Sequence, residues 1–366
     1  MATPCAPQWF SEAICRAEEL RDKVGVLLVA NVEGRTVPLD DYETDSIVTE
    51  FLSNAELDDF VASFQEAGIY CEVVIDEGGF LQWLEKDRAR FGREHPLVYN
   101  LAQNGIGPAR LSLVPGLCRL HGLSLLDSDG HAVAIAQHKF HCASLLRQFG
   151  LPVAQSWWFT ERGWWPEPPR DGMRLIAKPS YDSASIGIHA ESVFEMSERA
   201  AEQLQAWRAR YRQPLTVQEF IPGFEVEVPV FEAAEPETIM PVGLSINRRR
   251  DLRDTILVYD DVFADGYDFY DFAEENDTTA LEIRAIAAKA FSGLGLRGVG
   301  RVDFRIRHDG TPAIIEVACK PHLTRHSSFL HAVESIGGSH ADLLKFLVGA
   351  AVRRLPINQP TKIECR

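Results

Sequence analysis

The segment GVGRVDFRIRHDGTPAIIEVA, residues 298–318, constrains the chain more than any other. Val302, Phe304 and Ile306 alternate with Arg301, Asp303, Arg305 and Arg307, so a strand here has one apolar and one charged face. Asp309-Gly310 is a two-residue hairpin signal. With these two as the turn, His308 faces Thr311, and the same register sets Asp303 opposite Glu316. Directly opposed residues have Cβ atoms ~5 Å apart, where like charges repel. Facing carboxylates therefore call for a proton or a cation between them. A hard divalent cation such as Mg²⁺ suits the pair, because it takes carboxylates together with phosphate oxygens. Arg301 adds a positive group on the same face. The alternative is a solvent-exposed hairpin with incidental charges.

Upstream, VGVLLVA (24–30) reads as a fully buried strand, followed by an amphipathic helix over 55–67, a strand at 70–75, a helix near 79–88 and a strand at 96–99. This alternation predicts a parallel α/β layer for residues 1–130, bounded by SDGHA. A helix over 134–149, a strand at 174–178 and a helix near 192–210 make a second unit, 131–214. The third, 215–366, holds strands at 215–220, 225–232, 299–307 and 313–317, a helix at 280–294, and a last helix at 340–352 behind the N-cap Ser339. The fold class is α/β followed by α+β.

At 366 residues the chain is long enough for two or three domains. Its net charge of -16 argues against nucleic-acid or anionic-membrane partners, because both would be repelled. Seven scattered cysteines without a CxxC pair suit buried thiols in a reducing compartment. No basic segment leads into an apolar run at the start, and no stretch of 18 apolar residues occurs, so the expected location is the cytoplasm.

Two lysines stand out. Lys178 ends an apolar strand and precedes PSYDSASIG (179–187), whose small residues let backbone N–H groups approach phosphate closely. The loop lacks the GxxxxGK[ST] pattern of a P-loop. Lys139 sits at a helix start roughly 40 residues upstream. In LTVQEFIPGFEVEVPVF (215–231), Val226, Val228 and Val230 share one face and leave Glu225 and Glu227 on the other, where a carboxylate can accept from ribose hydroxyls.

In this order, QHKF, IAKPSYDSASIG, VQEFIPGFEVEV, GVGRVDF, EVACKPHLTRHSS and GGSHADLL resemble the D-alanine–D-alanine ligase branch of the ATP-grasp superfamily, over about 96–350. The resemblance implies an ATP-grasp fold with an N-terminal parallel α/β domain, ATP and Mg²⁺ as cofactors, and small amino-acid-like substrates. It implies amide formation between two such molecules through an acyl phosphate, and a homodimer. Lys139 and Lys178 match the lysines that touch the nucleotide phosphates, and Ser183 to Gly187 the loop that closes over them. Gln218, Glu219 and Ile221 match the adenine hinge, Glu225 the ribose carboxylate, and Asp303 and Glu316 the magnesium ligands. Arg301, Ser185 in the loop and Ser327, which matches the holder of the acceptor's carboxylate, complete the catalytic set.

The departures are as specific. The family's Glu-x-Asn reads Glu316-Val317-Ala318, its Pro-Gly reads Pro321-His322, and no lysine accompanies YDFYDF (267–272). NGIGPAR (104–110) stands in place of an acidic motif. These losses keep open a non-catalytic ATP-binding protein of the same fold, or a ligase acting on a carrier protein. Cys319, His322 and His326 have loosely zinc-like spacing, against a hard-ligand site beside them.

Overall fold

The computed structural model describes residues 6–260, 264 and 266–355. Three sheets organise it. The first is parallel, with β1 (Val24–Ala30) flanked by β2 (Tyr70–Ile75) and β3 (His95–Leu101), and β4 (Ser124–Leu125) outside β3. Every residue of β1 is buried, as a run with no polar residue requires. The helix Asn54–Glu66 that follows starts at a reciprocal Ser53/Glu56 capping box.

A helix that the sequence pattern did not suggest, Gln8–Leu20, packs against the last helix, His340–Arg353. Their contact is close at Gly349, where a Cβ would lie 1.8 Å from the Ala13 carbonyl oxygen. Only glycine fits there.

The single helix expected over 134–149 is two helices, Gly130–Gln137 and Lys139–Gln148. His138 is extended between them (ψ 95°), and the Lys139 amide donates to Ser180 O at 3.0 Å instead of to the preceding helix. Likewise the helix expected from 192 begins at Glu198, after its cap Ser197.

The second sheet contains β5 (Ser156–Thr160), β6 (Gly163–Trp165), β7 (Arg174–Pro179), β8 (Val193–Glu195) and β9 (Leu215–Glu219), all antiparallel, in the order β6-β5-β9-β7-β8. Because β9 pairs with β5 and β7, the change of sheet falls at the turn 220–223. The third sheet, also antiparallel, comprises β10 (Phe224–Phe231), β11 (Val242–Ile246), β12 (Tyr267–Asp271), β13 (Val299–Ile306) and β14 (Pro312–Ala318). Its order is β12-β11-β10-β13-β14. Ala154 N and Ile314 O, 2.9 Å apart, stitch β14 to the second unit.

The β13–β14 hairpin keeps the expected Asp303–Glu316 pair by a different route. The loop is three residues long: Arg307 N donates to Thr311 O at 3.0 Å, and Gly310 takes φ +86°. That shifts Phe304 opposite Ile314. A bulge between Asp303 and Phe304 then leaves Ile315 unpaired and restores the register. Among the described residues no helix is long and apolar enough to cross a membrane.

Candidate active site

All three sheets border one cavity of about 210 Å³. Its lining includes every candidate site residue except Ser327. The charged face of the third sheet forms its floor. There the register aligns three carboxylates across three strands: Glu227 on β10, Asp303 on β13 and Glu316 on β14.

Arg301 and Lys139 hold this row together. Arg301 grips Asp303 with two bonds of 2.7 and 2.8 Å and reaches Glu227 at 3.1 Å. Lys139 meets Glu316 at 2.7 Å and donates to Asp182 O. Burial raises the Glu227 carboxyl to about 7; Asp303 adds to the rise and Arg301 opposes it. Burial also raises Asp303, against Arg301. At Glu316, Lys139 and Lys178 outweigh burial and hold the carboxyl below its ordinary range. Lys178 is buried, which lowers its pKa, and among the described residues no carboxylate comes within ion-pairing distance of it. An ammonium desolvated without a partner is costly, so a ligand anion suits it.

Beside these groups lies an apolar slot formed by Ile176, Ile188, Ile221, Ile256 and Ile315. Gln218 Nε2 donates to Ile315 O at 3.2 Å, and Glu219 pairs with Arg307 at 2.9 Å, which fixes this edge of β9. Glu225 is oriented by Arg305 at 3.0 Å, whose Nε donates to Ile221 O.

The Ser183–Gly187 loop closes over the cavity, with Ala184 and Ser185 in the left-handed region at φ 50° and 53°. Non-glycine residues there store strain of about 1–2 kcal/mol each. The N-terminal unit holds the loop in place. Ser183 N donates to Glu50 Oε1 at 2.9 Å and Gly187 N to Asp45 Oδ2 at 3.1 Å, and Arg110 links Glu50 (2.6 Å) to Asp182 (3.5 Å). Glu50, Asp45 and Arg110 were not signalled by any local motif. They meet the loop only through tertiary contact.

Ser327 sits elsewhere. It caps the helix Ser328–Ser335, accepting from Leu330 N and donating to Thr324 O at 2.8 Å. His322 lines the cavity, and desolvation followed by Arg301 lowers its pKa. Cys319, His322 and His326 do not form a metal cluster; among the described residues no three Asp, Glu, His or Cys side chains do.

The family described as "D-ala D-ala ligase C-terminus" matches residues 145–349, more than half of the chain. The chain belongs to that family. An uncharacterised protein of Sinorhizobium fredii is 24% identical over 305 residues, 81% of this chain and 87% of that one. A D-alanine–D-alanine ligase of Ralstonia nicotianae is 27% identical over 256 residues, 69% and 74% of the two chains. The crystal structure of a D-alanine–D-alanine ligase from Bacillus anthracis complexed with ATP has TM-score 0.64 at 14% identity, over 90% of this chain and 97% of that one. The fold is therefore ATP-grasp, a parallel α/β layer followed by two antiparallel sheets.

Within the D-Ala–D-Ala ligase family pattern, Ala318 lies opposite Arg301 and offers no donor, so β14 carries one carboxylate where the family has two ligands. Mg²⁺ nonetheless fits the residues present. Among the described residues seven carboxylates line the cavity against five cations, and Glu227 Oε2 is buried without a hydrogen bond. Mg²⁺ ordinarily uses only one or two protein carboxylates and completes its shell with phosphate and water. Asp303 and Glu316 are the residues that would hold it.

Proposed function

We propose that this protein is an ATP-dependent ligase that joins an amino-acid-like carboxylate to the amine of a second small molecule. The observation that carries this reading is the carboxylate row Glu227–Asp303–Glu316 beneath Lys139 and the unpaired Lys178, at one end of an apolar slot. Lys139 and Lys178 would bind the phosphates, the slot and the Gln218–Ile221 edge the adenine, and Glu225 the ribose. Asp303 and Glu316 would hold Mg²⁺, which would supply charge neutralisation to the phosphoryl group in transfer.

In the first step a carboxylate oxygen of the donor attacks the γ-phosphorus, and the bond to ADP breaks. In the second the amine nitrogen attacks the acyl carbon. The C–N bond forms, and phosphate leaves with the electron pair of the C–O bond. Arg301, anchored on Asp303 and Glu227, is placed to steady negative charge in both steps, and little else is asked of the protein than position and field. The Ser183–Gly187 loop excludes water, which would otherwise hydrolyse the acyl phosphate.

The test is phosphate release from ATP and Mg²⁺ over a panel of L- and D-amino acids, alone and in pairs. Release that depends on the amino acid and drops by roughly 1,000-fold in Asp303→Asn is expected. Tight ATP binding with no release for any pair would instead favour a nucleotide-binding protein without catalysis.

A further inference from the structure

Amide formation has a proton to place. The amine of an amino acid is largely ammonium at neutral pH, and an ammonium has no lone pair with which to attack. A group beside the acyl phosphate must take that proton. The carboxylates of the lining are engaged elsewhere. Among the described residues each of the seven is ion-paired: Arg110 holds Glu50 and Asp182, Arg301 holds Asp303 and Glu227, and Lys139, Arg305 and Arg307 hold one apiece. Asp303 and Glu316 are in addition the residues that would hold Mg²⁺. Glu227, whose carboxyl is raised to about 7, is buried and bound by Arg301.

His322 is placed differently. Among the described residues it is the only imidazole in the lining, it is exposed, and it makes no hydrogen bond, ion pair or ring contact. It stands where the family has glycine, so the cavity gains a side chain that the family pattern lacks. The strand β14 ends at Ala318, paired with Arg301, and the chain reaches His322 four residues later. Although exposed, His322 is enclosed enough that desolvation lowers its pKa. Arg301 adds to the fall, and Glu56 and Glu50 oppose it. The imidazole is thus kept unprotonated, able to accept, in the field of the guanidinium placed to steady the acyl phosphate.

We propose that His322 is the general base of amide formation, taking a proton from the acceptor ammonium so that its nitrogen can attack. The proposal rests on the ligase reading above and adds a group which that reading does not use. With one proton on the imidazole, the nitrogen lone pair bonds to the acyl carbon. The C–O bond breaks, and phosphate leaves with its electron pair. The second proton of the attacking nitrogen goes to the departing phosphate, and the imidazolium returns its own to solvent.

The experiment compares two acceptors on the full chain with ATP and Mg²⁺. Hydroxylamine is already unprotonated at neutral pH and needs no base; it traps the acyl phosphate of whichever amino acid is the donor as a hydroxamate. The amino-acid acceptor that the phosphate-release panel pairs with that donor arrives as ammonium. His322→Gln is expected to slow amide formation at neutral pH by on the order of 100-fold, and hydroxamate formation by less than about threefold. Amide formation by the variant should climb toward wild type as pH rises and the acceptor loses its proton in water. His322 leaves no partner orphaned when replaced, so the variant should fold, and its hydroxamate formation verifies that. Equal losses in both reactions would make the role structural and overturn the proposal, as would amide formation left intact. Hydroxamate without an amide from any amino acid would remove the ammonium that the proposal needs, and overturns it too. No hydroxamate from any donor with the wild-type chain sinks the ligase reading itself, and this inference with it.

Discussion

At the end of the cavity proposed for the nucleotide, Lys139, Lys178, Glu225 and Gln218–Ile221 all line the cavity beside an apolar slot. Elsewhere in the lining His322 stands where the family has glycine and Ala318 where it has asparagine, while Ser327, outside the lining, caps a helix. ATP presents the same phosphates and ring to every enzyme of the fold, so the residues that meet it have little room to vary. The acceptor differs between enzymes, and the residues that meet it are free to change. Within this one cavity, then, departure from the family pattern marks the surfaces on which substrate identity depends.

Lys178→Met tests the constrained end hardest. Removing this buried ammonium should weaken ATP binding roughly 100-fold by calorimetry, while the fold persists because the replacement is apolar and similar in length. Unchanged affinity would mean that the phosphates lie elsewhere.

Glu227→Gln sharpens the role of the carboxylate row between the two ends. In the folded protein this carboxyl is raised to about 7 from an ordinary value of 4.5. The folded state therefore holds the extra proton between those values, and stability from this group is complete below about pH 4.5 and lost as pH rises through about 7. Without nucleotide, this group should make the melting temperature fall as pH rises from about 4.5 to about 7, and the variant should flatten that slope. A slope that survives the substitution would assign it to another group.

Ser327→Ala is the mildest test. Loss of the cap should lower stability by about 1 kcal/mol in denaturant unfolding, with the acceptor KM changed less than about twofold. A large rise in KM would return Ser327 to acceptor binding and erase the contrast between the ends.

Local pattern made the charged hairpin legible because strand alternation and an Asp-Gly turn both leave marks in the sequence. The Asp303–Glu316 pair nevertheless survives by cancellation, since a loop one residue longer is offset by the bulge at Ile315. Turn type cannot be read from two residues when a third can join the loop. β11 and β12 escaped notice because Val242–Ile246 and Tyr267–Asp271 are short and lie 20 residues apart in sequence. The break at His138 was invisible for another reason: the Lys139 amide finds its partner in Ser180, some 40 residues away in sequence. Glu50, Arg110 and Asp45 were equally hidden. Acids and bases of the N-terminal unit look like surface charge until the loop they hold is folded against them.

The helix Gln8–Leu20 buries Phe10, Ala13 and Ala17 largely against His340–Arg353, with Gly349 beneath the Ala13 carbonyl. During synthesis this first helix leaves the ribosome long before its partner exists. Its apolar stripe must wait, covered loosely or by a chaperone, until nearly the whole chain has emerged. Domain-by-domain folding cannot finish the N-terminal unit on its own, so a nascent chain stalled before residue 340 should expose that stripe and remain open to proteases at its first helix.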